Sequence, residues 1–334
     1  MDEKNILITG GAGFIGARFI QHILFERNDF HGNIINLDKL TYAANKEAIE
    51  AFQNDSRYTF IEGDICDKSK VRGIVSAYDI HIVMNFAAET HVDRSIVSPR
   101  YFIETNVMGT FTLLDAIRKM DKVHFHQIST DEVFGSCPVS SLFTEKSHYN
   151  PQSPYSASKA AADHLVQSYA NTYGVKTTIS YCTNNFGPGQ DKEKFIPKMI
   201  DCLINKKPMP IYAKGENIRD WLYVDDHIEA LYLILTKGKI GSSYAIGARN
   251  QLRNIDVVHT LIDLFVEREG GDKEEYLSLI DYVQDRPGHD FCYGIDPTKI
   301  ENELGYKPKN NFKEALSKTI DWYKDLHEEA FLTF

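Results

Sequence analysis

Cysteine is scarce and scattered. Cys66, Cys137, Cys182, Cys202 and Cys292 make an odd set of five with no Cys-x-x-Cys pair, which reads as reduced core thiols and not as disulfide staples, the usage of a reducing compartment. No apolar run reaches the roughly 18 residues that a membrane-spanning helix needs, and no charged-then-apolar leader precedes a first strand beginning near Asn5. A cytoplasmic location is therefore expected, with no membrane partner. Positive charge is also in deficit, at a formal net charge of −10. A nucleic-acid surface needs a basic face to neutralise phosphates, so that partner is excluded, while a small anion held by a few placed arginines is not. Internal repeats and low-complexity segments are missing, and no histidine-carboxylate cluster has metal-ligand spacing, so no metal is expected.

What is present is ordinary globular material: 334 residues, 43% apolar and 25% charged. That length exceeds the about 100–200 residues usual for one domain and predicts two lobes. Short apolar runs at Asn5 to Thr9, Asn33 to Leu37, Tyr58 to Glu62, Ile80 to Phe86, Val123 to Ser129 and Thr177 to Cys182 read as strands. Helical periodicity lies between several of them, at Phe14 to Phe25, Val107 to Lys119 and Ala157 to Tyr173. The alternation predicts an α/β fold, a Rossmann-type doubly wound parallel sheet with a smaller, loop-rich α/β substrate lobe. Residues 1–186 form the first lobe and 187–334 the second, where Pro188, Pro197, Pro208 and Pro210 break up the pattern; residues 225–240 are candidates to return to the first.

Gly11-x-Gly13-x-x-Gly16, with Gly10 before it, follows the first strand and opens a helix beginning Phe14-Ile15. Glycines there let backbone amides approach a pyrophosphate and let helix pack on strand. Asp38 ends the second strand about 20 residues on, where a carboxylate accepts from ribose hydroxyls and repels a 2′-phosphate. NAD is favoured; Lys39 partly offsets the repulsion and leaves NADP open. Asp64-Ile65, after the third strand, is placed to flank the adenine.

Tyr155 and Lys159 are four apart and share a helix face. A nearby ammonium and a positively charged nicotinamide stabilise the phenolate and make the tyrosine a usable base. Thr130 ends a strand upstream and can bond a hydroxyl beside it. The adjacent carboxylates Asp131 and Glu132 stand where the strand ends of a parallel sheet open onto a ligand crevice, and an acid beside a base supplies the means to remove water.

These motifs make the chain resemble the extended short-chain dehydrogenase/reductases, and among them the dTDP-glucose 4,6-dehydratases. The matching stretches run nearly end to end: Gly10-Gly-Ala-Gly-Phe-Ile-Gly16, Leu37-Asp-Lys-Leu-Thr-Tyr42, Gly63-Asp-Ile-Cys-Asp67, His91-Val-Asp-Arg-Ser-Ile96, Ser129-Thr-Asp-Glu-Val133, Ser153-Pro-Tyr-Ser-Ala-Ser-Lys159, Asn184-Asn185, Ile218-Arg-Asp-Trp-Leu-Tyr-Val224 and Asp285-Arg-Pro-Gly-His-Asp290. The resemblance implies oxidation at C4 of a nucleotide-diphosphate sugar, loss of water across C5 and C6, and reduction at C6. Tyr155, assisted by Lys159 and Thr130, deprotonates the C4 hydroxyl; Glu132 takes the C5 proton; Asp131 protonates the departing C6 hydroxyl. It implies phosphate contacts from Arg219 and Arg286, with Asn185, Asn254 and His289 beside them, sugar contacts from Thr90 and His91, and a further substrate contact from Lys194. Tyr212 is placed to stack on the base. A homodimer paired through two long helices, near Val107 to Lys119 and Ala157 to Tyr173, is expected by the same resemblance.

Several positions depart from the family pattern. Gly189 replaces an aromatic and Lys192 a proline in the Gly187 to Pro197 loop; Thr90 replaces a serine, Ala44 a glycine, Phe134 a tyrosine and Ala245 an asparagine. Several of these are expected near the sugar or base, and a small residue at Gly189 makes room for a bulkier sugar. UDP-N-acetylglucosamine is thus the alternative substrate for the same chemistry. A nucleotide-sugar 4-epimerase and a non-catalytic dinucleotide-binding protein are the other readings; the first usually lacks the Thr-Asp-Glu run, and the second predicts a damaged Tyr/Lys pair, which is intact here.

Overall fold

The computed structural model describes residues 3–138 and 141–332. Its strands are β1 (Ile6–Thr9), β2 (Ile34–Asp38), β3 (Tyr58–Glu62), β4 (Ile82–Asn85), β5 (His124–Thr130), β6 (Lys176–Cys182), β7 (Asn184–Phe186), β8 (Met209–Tyr212), β9 (Ile218–Tyr223), β10 (Ser243–Ile246), β11 (Gln251–Arg253) and β12 (Ile280–Val283). Seven of them form one sheet in the order β10-β6-β5-β4-β1-β2-β3, every neighbouring pair parallel.

Sheets of this kind are covered on both faces, so their inner strands are apolar throughout and alternate residues feed two cores. Along β1, Ile6 and Ile8 point into one cluster with Phe19, Met84 and Leu231, while Leu7 points into the other with Val83, Phe125 and Val166. The strand order reverses between β1 and β4, and ligands bind such sheets in the crevice outside the strand ends at that reversal. Gly10, at φ +71°, follows β1 there; a Cβ on it would lie 2.6 Å from the Ala87 nitrogen in the loop after β4. Only glycine lets these two strand ends approach so closely.

The helix predicted over Phe14 to Phe25 is α-helical over Phe14–Gln21 and continues as a π turn over His22–Glu26. That predicted near Val107 to Lys119 begins as a π segment at Ile103–Gly109 before the α-helical Thr110–Ile117. The third starts earlier than its periodicity suggests, at Pro154, because Ser153 and Ser156 form a reciprocal capping box in front of a proline at the first turn, and it ends at Gly174 in the left-handed region. Past Cys182 two smaller sheets form. β11, β9 and β7 form a three-stranded sheet, β12 and β8 a two-stranded one, over a third core containing Phe186, Met199, Trp221, Leu261 and Leu316. The helix Val224–Lys237 packs Ile228, Leu231 and Ile234 beside Phe19 and Ile20, and β10 joins the large sheet beside β6.

No helix among the described residues is long and apolar enough to cross a membrane. All five cysteines are free thiols, Cys66 half-buried and the other four buried; Cys137 Sγ lies 3.0 Å from Cys292 Sγ.

Replacing Ser153 by Ala removes the cap of the helix that carries Tyr155 and Lys159. The expected cost is about 1 kcal/mol of unfolding free energy, seen as a lower urea midpoint with an unchanged slope.

Candidate active site

The first part of the site is a cradle at the end of β1, lined by Gly10, Gly13, Phe14, Ile15 and Gly16. A Cβ on Gly16 would sit 2.3 Å from the Gly10 carbonyl oxygen, so the turn and the helix start are pressed together and the first amides of the helix face the cleft. Asp38 fixes the turn by accepting from the Ala12 amide (3.0 Å) and the Leu40 amide (2.8 Å). Burial raises its carboxyl above the usual range, and those amides oppose the rise. Lys39 does not extend freely: its Nζ lies 3.5 Å from Asp64 Oδ2 and donates to Thr105 Oγ1 at 3.2 Å. With that ammonium already paired, the carboxylate of Asp38 dominates the edge of the cradle. Ile65 is buried beside Asp64 in the same wall. A backbone-lined turn, a helix N-terminus and a carboxylate fit a dinucleotide whose ribose bears no phosphate.

Continuous with the cradle, the ends of β5 and of the Pro154–Tyr173 helix bring Thr130, Asp131, Glu132, Tyr155 and Lys159 into one wall of the cleft. Lys159 is buried and its Nζ donates to the Ile128 carbonyl at 2.6 Å. The Tyr155 phenol is pushed well above its ordinary value, first by burial and then by the negative field of Glu132, with the Thr130 hydroxyl acting against both. The lowering expected from positive charge is thus outweighed in the chain by itself.

The two carboxyls differ in environment despite being adjacent. Asp131 is 1% exposed and its Oδ2 has no hydrogen-bond partner. Burial, then Glu132 and Asp220, drive it well above the usual carboxylate range. Glu132 is also raised by burial, but Arg286, Arg219 and Lys194 pull the other way. The two settings thus favour the neutral form more strongly at Asp131 than at Glu132. Environments that push two titratable groups apart are the arrangement required of an acid and a base.

Thr90, His91, Asn185 and Lys194 line the far side of the same cleft, with Lys194 Nζ donating to the Thr90 carbonyl at 2.9 Å. Tyr212, Arg219, Arg286 and His289 gather at a separate pole. Tyr212 Oη donates to Asp93 Oδ1 at 3.2 Å, Arg286 Nη1 lies 3.5 Å from Asp93 Oδ2, and Arg219 Nη2 is 2.9 Å from His289 Nε2. The two arginines are not equivalent. Arg219 spends its Nη hydrogens on the carbonyls of Ile218, Asp290 and Phe291 and lies 4.1 Å over the Tyr293 ring, which leaves it as a buried positive charge. Arg286 keeps most of its fork, and its buried Nε has no partner. Asn254 heads the helix Asn254–Glu269 with a buried, unpartnered Oδ1.

The departures from the family pattern divide between the cleft and the core. Gly189 has φ +83°, a left-handed backbone that by itself favours glycine, and a Cβ there would meet nothing within 4 Å. Phe134 is buried among Phe143, Tyr149 and Tyr181, and Ala245 is a fully buried residue of edge strand β10. Neither faces the cleft; Ala44 and Thr90 do.

Three residues were missed. Tyr293 Oη donates to Asp290 Oδ2 at 2.7 Å and lies 3.5 Å from Glu132 Oε2. His227, fully buried and lowered to about 3 by that burial, holds Asn185 Oδ1 at 2.8 Å from its Nδ1. Asn106, in the π segment, clasps Glu89 through its amide and carbonyl and donates to Ser158 Oγ at 2.8 Å. Only Tyr293 had a nearby signal, standing three residues beyond the Asp285 to Asp290 motif.

A family model described as GDP-mannose 4,6 dehydratase matches residues 7–319. The dTDP-glucose 4,6-dehydratase of Salmonella typhimurium is 46% identical over 95% of this chain and 92% of its own; that of Neisseria gonorrhoeae is 46% identical over 97% and 96%. Among solved structures, the dTDP-glucose 4,6-dehydratase DesIV from Streptomyces venezuelae, with NAD and TDP bound, superposes with a TM-score of 0.90 at 38% identity, over 97% of this chain and 98% of that one. A UDP-glucuronic acid 4-epimerase from Bacillus cereus, bound to UDP-glucuronic acid and NAD, reaches 0.87 at 26% identity over 96% and 99%.

Gly16→Val forces backbone apart at the cradle. Calorimetric titration with a nicotinamide dinucleotide is expected to show markedly weaker binding, with circular dichroism unchanged.

Proposed function

The chain belongs to the family described as GDP-mannose 4,6 dehydratase, and we propose that it is a nucleotide-sugar 4,6-dehydratase that uses NAD and acts on dTDP-glucose. Identity of 46% to dTDP-glucose 4,6-dehydratases over 95% of the chain supports the substrate. The observation that carries the chemistry is the unequal setting of the carboxyl pair at the end of β5: Asp131 is enclosed with an unpartnered Oδ2, while Glu132 lies in the field of Arg286, Arg219 and Lys194.

A nicotinamide held on the glycine cradle supplies one thing, acceptance of hydride from C4 and its later return to C6. Tyr155, with Thr130 at its hydroxyl, takes the proton of the C4 hydroxyl; Lys159 provides the positive charge that a phenolate needs. The C4 ketone makes the C5 proton acidic. Glu132, whose raised basicity comes from burial, removes it. Asp131 enters this step already protonated and gives its proton to the C6 hydroxyl, so the bond to C6 breaks with water as the leaving group. One proton is taken and one is given by neighbouring carboxyls, as neighbouring carbons require, and the proton held by Glu132 goes back to C5 when hydride reaches C6. Arg286, with its free fork, and Lys194 bear on the diphosphate and sugar. With Gly189 explained by its backbone, nothing in the loop favours an N-acetylated sugar.

The same reading includes a homodimer. Ile103, Met108 and Tyr173 are 46%, 49% and 49% exposed along the Ile103–Ile117 and Pro154–Tyr173 helices, an apolar surface that favours a partner. Five free thiols suit a cytoplasmic location.

Incubation with dTDP-glucose, UDP-glucose and UDP-N-acetylglucosamine is expected to give a product lighter by one water from dTDP-glucose alone. Asp131→Asn and Glu132→Gln are expected to retain C4 oxidation, read as reduced-nicotinamide absorbance, and to slow water loss by about 10²–10⁴-fold. Unchanged 6-deoxy product from both variants contradicts the mechanism. In the wild type the elimination rate rises through the Glu132 pKa, above the ordinary glutamate value of about 4.3, and falls again as Asp131 loses its proton. Separately, Met108→Glu is expected to convert the dimer to monomers in sedimentation equilibrium; a wild type that is monomeric at micromolar concentration overturns the dimer.

A further inference from the structure

We propose that Asp163 is a positioning residue that holds the positive charge on Lys159 and, through it, the proton-accepting power of Tyr155. This rests on the roles given above to Tyr155 and Lys159.

Tyr155, Lys159 and Asp163 recur at a spacing of four along one helix, so they occupy one face. Asp163 is fully buried, with 0% of its surface exposed. Its Oδ2 accepts from Ser129 Oγ at 2.5 Å and from Tyr149 Oη at 3.3 Å, and Tyr149 Oη in turn bonds Tyr181 Oη at 2.6 Å. Its Oδ1 has no hydrogen-bond partner. A buried carboxyl with an orphan oxygen and only neutral donors is costly, and an apolar side chain would fill the position at less expense. The charge must therefore be useful to something nearby.

The groups facing Asp163 are Lys159 from its own helix, Ser129 from β5, Tyr149 from the loop before the helix, and Tyr181 from β6. Lys159 is the one cation among them. Burial pushes the Lys159 ammonium below the usual lysine range, and Asp163 is the strongest influence restoring it, ahead of Cys182 on β6. In return, Lys159 and the Ser129 and Tyr149 hydroxyls hold down a carboxyl that burial carries up to about 7. Asp163 thus ionises near neutrality, and its ionised form favours the charged form of Lys159. A charged Lys159 favours the phenolate of Tyr155; a neutral one does not. Asp163 itself does not line the cleft; it bonds the wall through Ser129, and Lys159 is the charged group through which it acts on Tyr155.

The test is the pH profile of single-turnover C4 oxidation of dTDP-glucose, in full-length enzyme with NAD. In Asp163→Asn the acid limb is expected to move about one unit to higher pH, with about tenfold slower oxidation at neutrality and an unchanged KM for the sugar. Ser129→Ala, which removes the short bond favouring the ionised carboxyl, moves the same limb in the same direction by less, and decides the matter if Asp163→Asn does not fold. A limb that stays in place in the folded variants overturns the inference, even if the rate falls. Tyr155→Phe separates this failure from that of the parent reading: it abolishes C4 oxidation if the proposed function is right, whereas oxidation that persists removes the premise.

Discussion

Two adjacent carboxyls cannot both be ionised when they are buried together, and the rest of the site is arranged around that constraint. Asp131 is enclosed, faces Asp220 and keeps an unpartnered oxygen; Glu132 faces Arg219, Arg286 and Lys194. The positive groups come from the second half of the chain, on β9, on the segment after β12 and at the start of the helix Phe195–Ile204. In the proposed mechanism the large sheet thus supplies the acid and base at the end of β5, and the smaller elements decide which is which. Arg219 serves this purpose as a fixed charge, tied by carbonyls and stacked on Tyr293.

The same logic of paired opposites governs the hydride-transfer side. Lys159 and Asp163 are each expensive to bury alone, and each reduces the other's cost. In the proposed roles the Pro154–Tyr173 helix is a ruler, with the proton acceptor Tyr155, its cation Lys159 and the counter-charge Asp163 at successive turns. Its start is held by Ser153 and Pro154, so the spacing is transmitted to the cleft without slack. The cradle opposite is equally constrained, because Gly10 and Gly16 occupy places that no Cβ can enter.

Local chemistry was legible in the sequence. Glycines at fixed spacing, a tyrosine four residues before a lysine, and carboxylates at a strand end each imply their geometry over one turn or one strand, and the strands of the parallel sheet appeared as apolar runs because both faces are buried. What depends on tertiary approach was not legible. No spacing reveals that Arg219 gives its hydrogens to Asp290 and Phe291, or that Lys39 is paired with Asp64. His227 and Asn106 act on Asn185 and Glu89 from distant segments. The left-handed backbone at Gly189 has no signature in the sequence apart from the glycine itself, and the two π segments interrupt helices whose apolar periodicity is otherwise regular.

The most direct measurement is isotope-edited NMR of the side-chain carboxyl carbons of Asp131 and Glu132, titrated in the folded protein with each site assigned by its amide variant. At neutral pH the account predicts a protonated Asp131 and an ionised Glu132. Two ionised carboxylates at neutral pH, or the proton on Glu132, contradict it.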